Sequence, residues 1–199
     1  MDTIFAQATA PGRAGVSVVR ISGPAAFDAS RHLSGSVPEP RVASLRQLTR
    51  ADGSVLDRAL VLAFPAPNSF SGEDVVELHL HGSVAVVNAV LFELGSLSGC
   101  RMAEPGEFTR RALHNGKMDL TQVEGLADLI EAQTEVQRRQ AQSAVSGSFR
   151  ALIEDLRGNL IRAAALLEAV IDFADEEVPE DVSEDVVMLL ERSIEIMQR

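Results

Sequence analysis

The pattern of the chain changes once, at Asn115-Gly116-Lys117, and that change limits what it can fold into. Up to residue 116, short runs with strand-like alternation are interleaved with turn signals and short helical stretches. From 117 to 199 apolar residues recur at helical spacing. Leu120, Val123, Leu126, Ala127 and Ile130 come first, then Val145, Phe149, Leu152, Ile153, Leu156, Leu160, Ala164, Leu167 and Ile171. The two textures predict an α+β domain over residues 1–116 followed by an all-α domain over 117–199. Asp119 with Gln122 resembles a capping box at the start of the helical part. The stripe that follows is too long for one ordinary helix, so a break is predicted near Ser146-Gly147. An acidic linker with Pro179 follows. Ser183 is then predicted to cap a last helix that turns Val186, Val187, Leu190, Ile194 and Met197 inward. That helix meets no glycine stop, and so few helices do not close a core. The helical domain is therefore expected to be incomplete.

Within 1–116, Thr3–Ala8 reads as a strand, and in 16–21 the residues Val16, Val18 and Arg20 alternate with Ser17, Val19 and Ile21. Pro24 opens a helix to Leu33. Asp52-Gly53 between Leu45–Arg50 and Val55–Phe64 predicts a hairpin. Val76, Leu78 and Leu80 form one face of a strand, with Val75, Glu77, His79 and His81 on the other. A buried apolar helix follows from Val84, then a short strand at Arg101–Ala103 and a brief helix ending at Gly116.

Charge is uneven. Residues 1–116 carry 10 basic and 11 acidic side chains, whereas 117–199 carry 8 and 18. Ten acidic residues and no basic one lie between Ala163 and Glu191. Such a surface repels a phosphate backbone, so the second half is not expected to hold RNA unaided. With eight Phe and no Trp or Tyr, stacking platforms for bases are scarce. No apolar run approaches the roughly 18 residues of a membrane span. The single Cys100 cannot form an internal disulfide, which fits a cytoplasmic location.

The common phosphate loops, H-E-x-x-H, C-x-x-C and the serine nucleophile elbow do not occur in the sequence. Three side chains stand out instead. Glu77 is a carboxylate on a largely apolar strand. It is costly there unless it meets donors, which are either a structural cation or a ligand's N–H groups. With His79 and His81 on the same face it also forms a candidate metal set, against which stands the plainer reading of two edge histidines. Arg20 lies in a strand of Val, Ile and Ser, either snorkelling to water or binding a ligand. Lys117 is the one lysine of the chain, placed where a cation opposes the helix dipole. It is a solvated helix-start residue or a contact for an anionic partner. Sequence spacing does not bring the three together.

Long ordered segments carry a resemblance. TIFAQATAPGRAGVSVVRISG, FPAPNSFSGEDVVELHLHG, PGEFTRRALHNGKMDLTQVEGLADLI and AVIDFADEE are similar to the MnmE (TrmE) family of tRNA modification GTPases, from Thr3 to about Glu177. The resemblance implies an N-terminal domain akin to the folate-binding domains of one-carbon enzymes, which also forms a homodimer. A helical domain and a G domain inserted into it complete the family's plan. It implies a tetrahydrofolate derivative, 5-formyl or 5,10-methylene, as one-carbon carrier. It also implies joint action with the FAD-dependent partner MnmG on C5 of the wobble uridine of tRNA, leaving a carboxymethylaminomethyl or aminomethyl group. By the family's motifs the folate contacts are Arg20 of RISG, Glu77 of VEL and Lys117 of NGK.

The same resemblance implies sites for GTP, Mg2+ and K+ in a G domain that these residues do not encode. The family's C-x-G-K tail is missing too, and Cys100 does not replace it. GTP hydrolysis is therefore not expected of this chain by itself. The competing expectations are a partner-binding module with a vestigial folate cleft, and the metal site at Glu77, His79 and His81.

Overall fold

In the computed structural model, which describes residues 2–172 and 182–198, the alternating segments become strands. They are β1 (Thr3–Gln7), β2 (Val16–Ser22), β3 (Ser44–Thr49), β4 (Val55–Phe64), β5 (Val75–His81) and β6 (Cys100–Met102). They form one sheet in the order β3-β4-β5-β2-β1-β6. Every pairing is antiparallel except β1 with β6. The helices of this part are α1 (Ala26–Ser34), α2 (Val84–Gly95) and α3 (Glu107–His114).

Register decides which side chains share a face. Val19 stands opposite Leu78 and Ile21 opposite Val76. These four, with Leu80, Ala59 and Val61, are at most 1% exposed and pack with Ala29 and Leu33 of α1 and Val87, Val90 and Leu94 of α2. Each large aliphatic side chain buried this way contributes roughly 1.5–3 kcal/mol. The alternate residues, Arg20, Glu77 and His79, fall on the other face and are only half buried. Helix α2 departs from the buried helix expected of its composition, because only one side meets the sheet. Val84 and Phe92 on its other side are 50% and 77% exposed. Its buried Glu93 is satisfied by His32 at 3.0 Å and by the backbone N–H of Ala51 at 3.2 Å, tying α1 and the β3–β4 hairpin to α2.

The chain divides into two compact units, Met1–Asp119 and Leu120–Arg199. The second contains α4 (Leu120–Glu131), α5 (Glu135–Val145), α6 (Ser148–Asp172) and α7 (Val182–Met197). The break at Ser146-Gly147 is present. A second one, not predicted, separates α4 from α5. Its cause is a capping box at Thr134, whose hydroxyl accepts from Gln137 N–H while the Gln137 side chain accepts from Thr134 N–H. Gly125 lies so close to α5 that a Cβ there would stand 2.6 Å from that of Ala144.

Helix α7 differs from its predicted face. Ser183 lies inside its first turn, and the buried residues are Val186, Ser193 and Ile196. Val187, Leu190, Ile194 and Met197 are 42–64% exposed. Its partner is α6, and one neighbouring helix covers a narrower strip than the apolar stripe offers. The acidic segment 173–181 with Pro179 lies outside the described residues, as does the side chain of Phe149. Among the described residues no helix is long and apolar enough to cross a membrane.

Candidate functional site

Glu77 and Arg20 are directly opposed across β5 and β2. Arg20 donates from Nε to Glu77 Oε1 at 2.9 Å, and its Nη2 lies 2.8 Å from the same oxygen. The side chains are 18% and 22% exposed. Of the two sources of donors left open by the sequence, the internal cation is present, and it engages one oxygen only. Among the described residues no hydrogen bond reaches Oε2. His79 Nε2 stands 3.5 Å from it, beyond the usual range of a good hydrogen bond, and is itself buried without a hydrogen-bond partner.

Arg20 does not snorkel. Its guanidinium carbon is 4.8 Å from the ring centre of Phe70 and 5.6 Å from that of Phe108, within cation–π reach of both. Phe70 belongs to the loop 65–74 between β4 and β5, and Phe108 to α3. Gly72, at φ +81°, lets that loop turn in the left-handed region. It also lets the Lys117 stem lie over it, since a Cβ at 72 would stand 3.1 Å from Lys117 Cγ and 3.2 Å from Cδ. Lys117 itself is held by its N–H to Ala112 O at 2.8 Å, and its side chain is exposed. The structure thus joins the three residues by a chain of contacts. Lys117 lies on the loop, the loop's Phe70 lies on Arg20, and Arg20 holds Glu77.

A polar network pins this corner. Ser22 Oγ donates to Glu73 Oε2 at 2.7 Å, and Arg111 Nη1 reaches both Glu73 oxygens at 3.1 and 3.2 Å. Asn115 donates to Ser71 O at 2.8 Å. Glu107, 3% exposed, receives Arg101 Nη1 and Nη2 at 2.8 and 2.6 Å and Arg111 Nη2 at 3.1 Å. The Arg101 fork, against the opposing effect of burial, holds the Glu107 carboxyl down at about 2.

The histidines do not converge with Glu77 on a common point. His81 Nδ1 is 2.7 Å from Asp57 Oδ1, and its N–H donates to Asp57 Oδ2 at 2.8 Å. Burial pushes the Asp57 carboxyl up, but these two bonds, a backbone hydrogen bond from Arg58 and the nearby His81 charge together leave the group below its ordinary value. Among the described residues no group of three or more His, Cys, Asp or Glu side chains is arranged to hold a metal ion.

Residues 3–117 match the family model described as GTP-binding protein TrmE N-terminus, and residues 120–199 match the one described as MnmE helical domain. The chain belongs to the MnmE (TrmE) family. It is 61% identical over 191 residues to the tRNA modification GTPase MnmE of Roseobacter denitrificans, covering 96% of this chain and 45% of that protein. The MnmE of Dinoroseobacter shibae is 60% identical over 192 residues, again 96% and 45%. That of Cereibacter sphaeroides (strain ATCC 17025) is 56% identical over 199 residues, 100% and 46%. The chain spans about half the length of the curated MnmE relatives it matches.

Three of the segments that carry the MnmE resemblance meet at this corner. RISG supplies Arg20 and Ser22. FPAPNSFSGEDVVEL supplies Phe70, Gly72, Glu73 and Glu77, and PGEFTRRALHNGK supplies Glu107, Phe108, Arg111 and Lys117. Sequence reasoning missed Phe70, Phe108, Glu73 and Arg111. Phe70 and Phe108 had one available signal, since aromatic residues are so scarce in this chain. The charged pair had none, because its members lie on a loop and a helix far apart in sequence.

Proposed function

We propose that this chain is the tetrahydrofolate-binding, dimerising N-terminal portion of a GTPase that acts with the FAD-dependent MnmG. The product of that complex is a carboxymethylaminomethyl or aminomethyl group on C5 of the tRNA wobble uridine. The observation that carries the reading is the half-buried Glu77 carboxylate, with Oε1 fixed by a clamped arginine and Oε2 left without a hydrogen bond. A carboxylate offers about four acceptor sites, and Arg20 uses only those of one oxygen. The 2-amino group and adjacent ring N–H of a pteridine are donors side by side, and a carboxylate accepts such a pair well. Lys117, exposed on the neighbouring loop, supplies a cation for the carbonyl or the glutamate tail of a 5-formyl- or 5,10-methylene-tetrahydrofolate.

GTP, Mg2+ and K+ belong to the G domain of the intact protein, since these residues contain no phosphate loop. The reading places the protein in the cytoplasm, with its tRNA substrate. Calorimetric titration of 5-formyltetrahydrofolate into the purified dimer tests it. Saturable binding, lost in Glu77→Ala with the circular dichroism spectrum unchanged, is expected. No binding by the parent chain removes the folate reading. A partner-binding module would then be favoured by the exposed Leu167, Ile171, Val187 and Met188 of α6 and α7.

A further inference from the structure

Arg20 is held between two rings that sit on different elements, and the gap between them is not fixed by either element alone. Phe70 rides on the loop 65–74, whereas Phe108 rides on α3. Phe108, at 5.6 Å, is close to the limit of about 6 Å at which a ring attracts a cation, so a small outward movement of α3 or the loop releases it. Three residues beyond Phe70, the Glu73 carboxylate gathers the relevant elements. It accepts from Ser22, two residues along β2 from Arg20, and from Arg111, one helical turn beyond Phe108. Arg111 is 13% exposed and Glu73 11%. The second nitrogen of Arg111 is occupied by Glu107 Oε1 at 3.1 Å and Asp2 Oδ1 at 2.8 Å, which fixes the plane of the guanidinium.

We propose that Arg111, through its ion pair with Glu73, is the positioning residue that sets the Phe70–Phe108 gap and so holds Arg20 on Glu77 in the ligand-binding arrangement. Arg111 touches neither Arg20 nor Glu77 in any hydrogen bond, so its influence passes through the two rings. The fork geometry matters here, because one nitrogen must meet Glu73 while the other meets Glu107 and Asp2. Lysine offers a point charge and not a fork. The inference rests on the folate reading for its ligand but not for its geometry.

The test uses the purified chain and two readouts. Affinity for 5-formyltetrahydrofolate is measured for the parent, Arg111→Met, Arg111→Lys and Glu73→Gln. Separately, Phe70→Trp places the sole tryptophan of a chain that has no Trp or Tyr on the clamp, and its emission reports the loop position. Loss of affinity of about tenfold or more is expected for Arg111→Met, the scale seen when a supporting shell around a site is loosened. Arg111→Lys is expected to recover part of that loss. The indole emission of the Phe70→Trp chain is expected to shift to the red when Arg111→Met is added, with far-ultraviolet circular dichroism unchanged. If the parent binds and both Arg111→Met and Glu73→Gln bind equally well, the inference is overturned while the folate reading stands. If the parent binds nothing, the folate reading fails, and an unmoved indole emission then overturns the positioning role as well. Should Arg111→Met not fold, Glu73→Gln carries both readouts.

Discussion

Arg20 closes two of its nitrogens on a single oxygen of Glu77, at 2.8 and 2.9 Å, while the other oxygen of that carboxylate has His79 Nε2 beside it at 3.5 Å. On the proposed folate reading, this pair serves stability and recognition together. It lowers the cost of burying the carboxylate, and it leaves the second oxygen without a hydrogen bond among the described residues.

Removing the carboxylate separates the two roles. In Glu77→Ala, Arg20 keeps its two rings but loses its counter-charge, and the expected destabilisation is about 1–3 kcal/mol, small enough for the domain to remain folded. Folate affinity is expected to vanish in calorimetry. A variant that melts earlier yet binds 5-formyltetrahydrofolate as the parent does would show that the carboxylate is purely structural.

Gly72→Ala tests how Lys117 is placed. The residue has φ +81°, which costs an alanine about 1 kcal/mol, and the new Cβ would press on Lys117 Cγ at 3.1 Å. The lysine stem must shift to make room. Lys117→Ala is expected to weaken folate binding and to leave the proposed dimer intact, and Gly72→Ala should follow the same direction. Sedimentation alongside titration checks both, since an equal loss of dimer would assign the lysine a structural part.

Acid stability follows from Glu107. Its carboxyl titrates at about 2 in the fold against an ordinary 4.5, so the folded state holds the ionised form more strongly. The stability this confers is complete above pH 4.5 and is lost as pH falls through about 2. Urea unfolding of the parent and of Glu107→Gln should therefore differ most above pH 4.5 and converge near pH 2. A gap that stays constant across that window would refute the linkage. Salt is expected to narrow it, because Arg101 is 42% exposed.

Gly125→Ala sets two effects against each other in the helical unit. Alanine gains about 1 kcal/mol of helix propensity, but its Cβ would meet that of Ala144 at 2.6 Å and Val145 N at 3.1 Å. Overpacking of that kind costs about 1–3 kcal/mol, so net destabilisation is expected, read as a lower thermal midpoint of the helical signal. A higher midpoint would show that α4 and α5 part easily.

Much of this architecture is written locally. The alternation in 16–22 and 75–81 fixes which residues are buried, because a one-residue slip would turn Leu78 outward and Glu77 into the core. The Asp52-Gly53 turn fixes the β3–β4 hairpin in the same way. Thr134-x-x-Gln137 is equally legible as a cap, and it falls in the polar gap that the apolar stripe leaves between Ile130 and Val145, so the stop between α4 and α5 is written in the sequence as well. The inward face of α7 differs from expectation because apolarity records what a helix is able to bury, while the buried strip depends on how many neighbours it has. At the site, Arg20, Glu77 and Lys117 are identifiable one by one from misplaced charge and from the family motifs. Their joining through Phe70 and Gly72 is not, because it depends on a loop whose path is set by Ser22, Glu73 and Arg111, all distant in sequence.

The place of β1 in the sheet, between β2 and the parallel β6, bears on how the protein is made. Residues 3–5 find their outer neighbour only at residues 100–102. On the ribosome, hairpins such as β3–β4 are free to pair early, but the first strand remains an open edge until about a hundred residues have left the exit tunnel. The nascent chain must keep that edge from pairing with other chains throughout this interval, so the speed at which the segment from β1 to β6 is synthesised bears directly on yield.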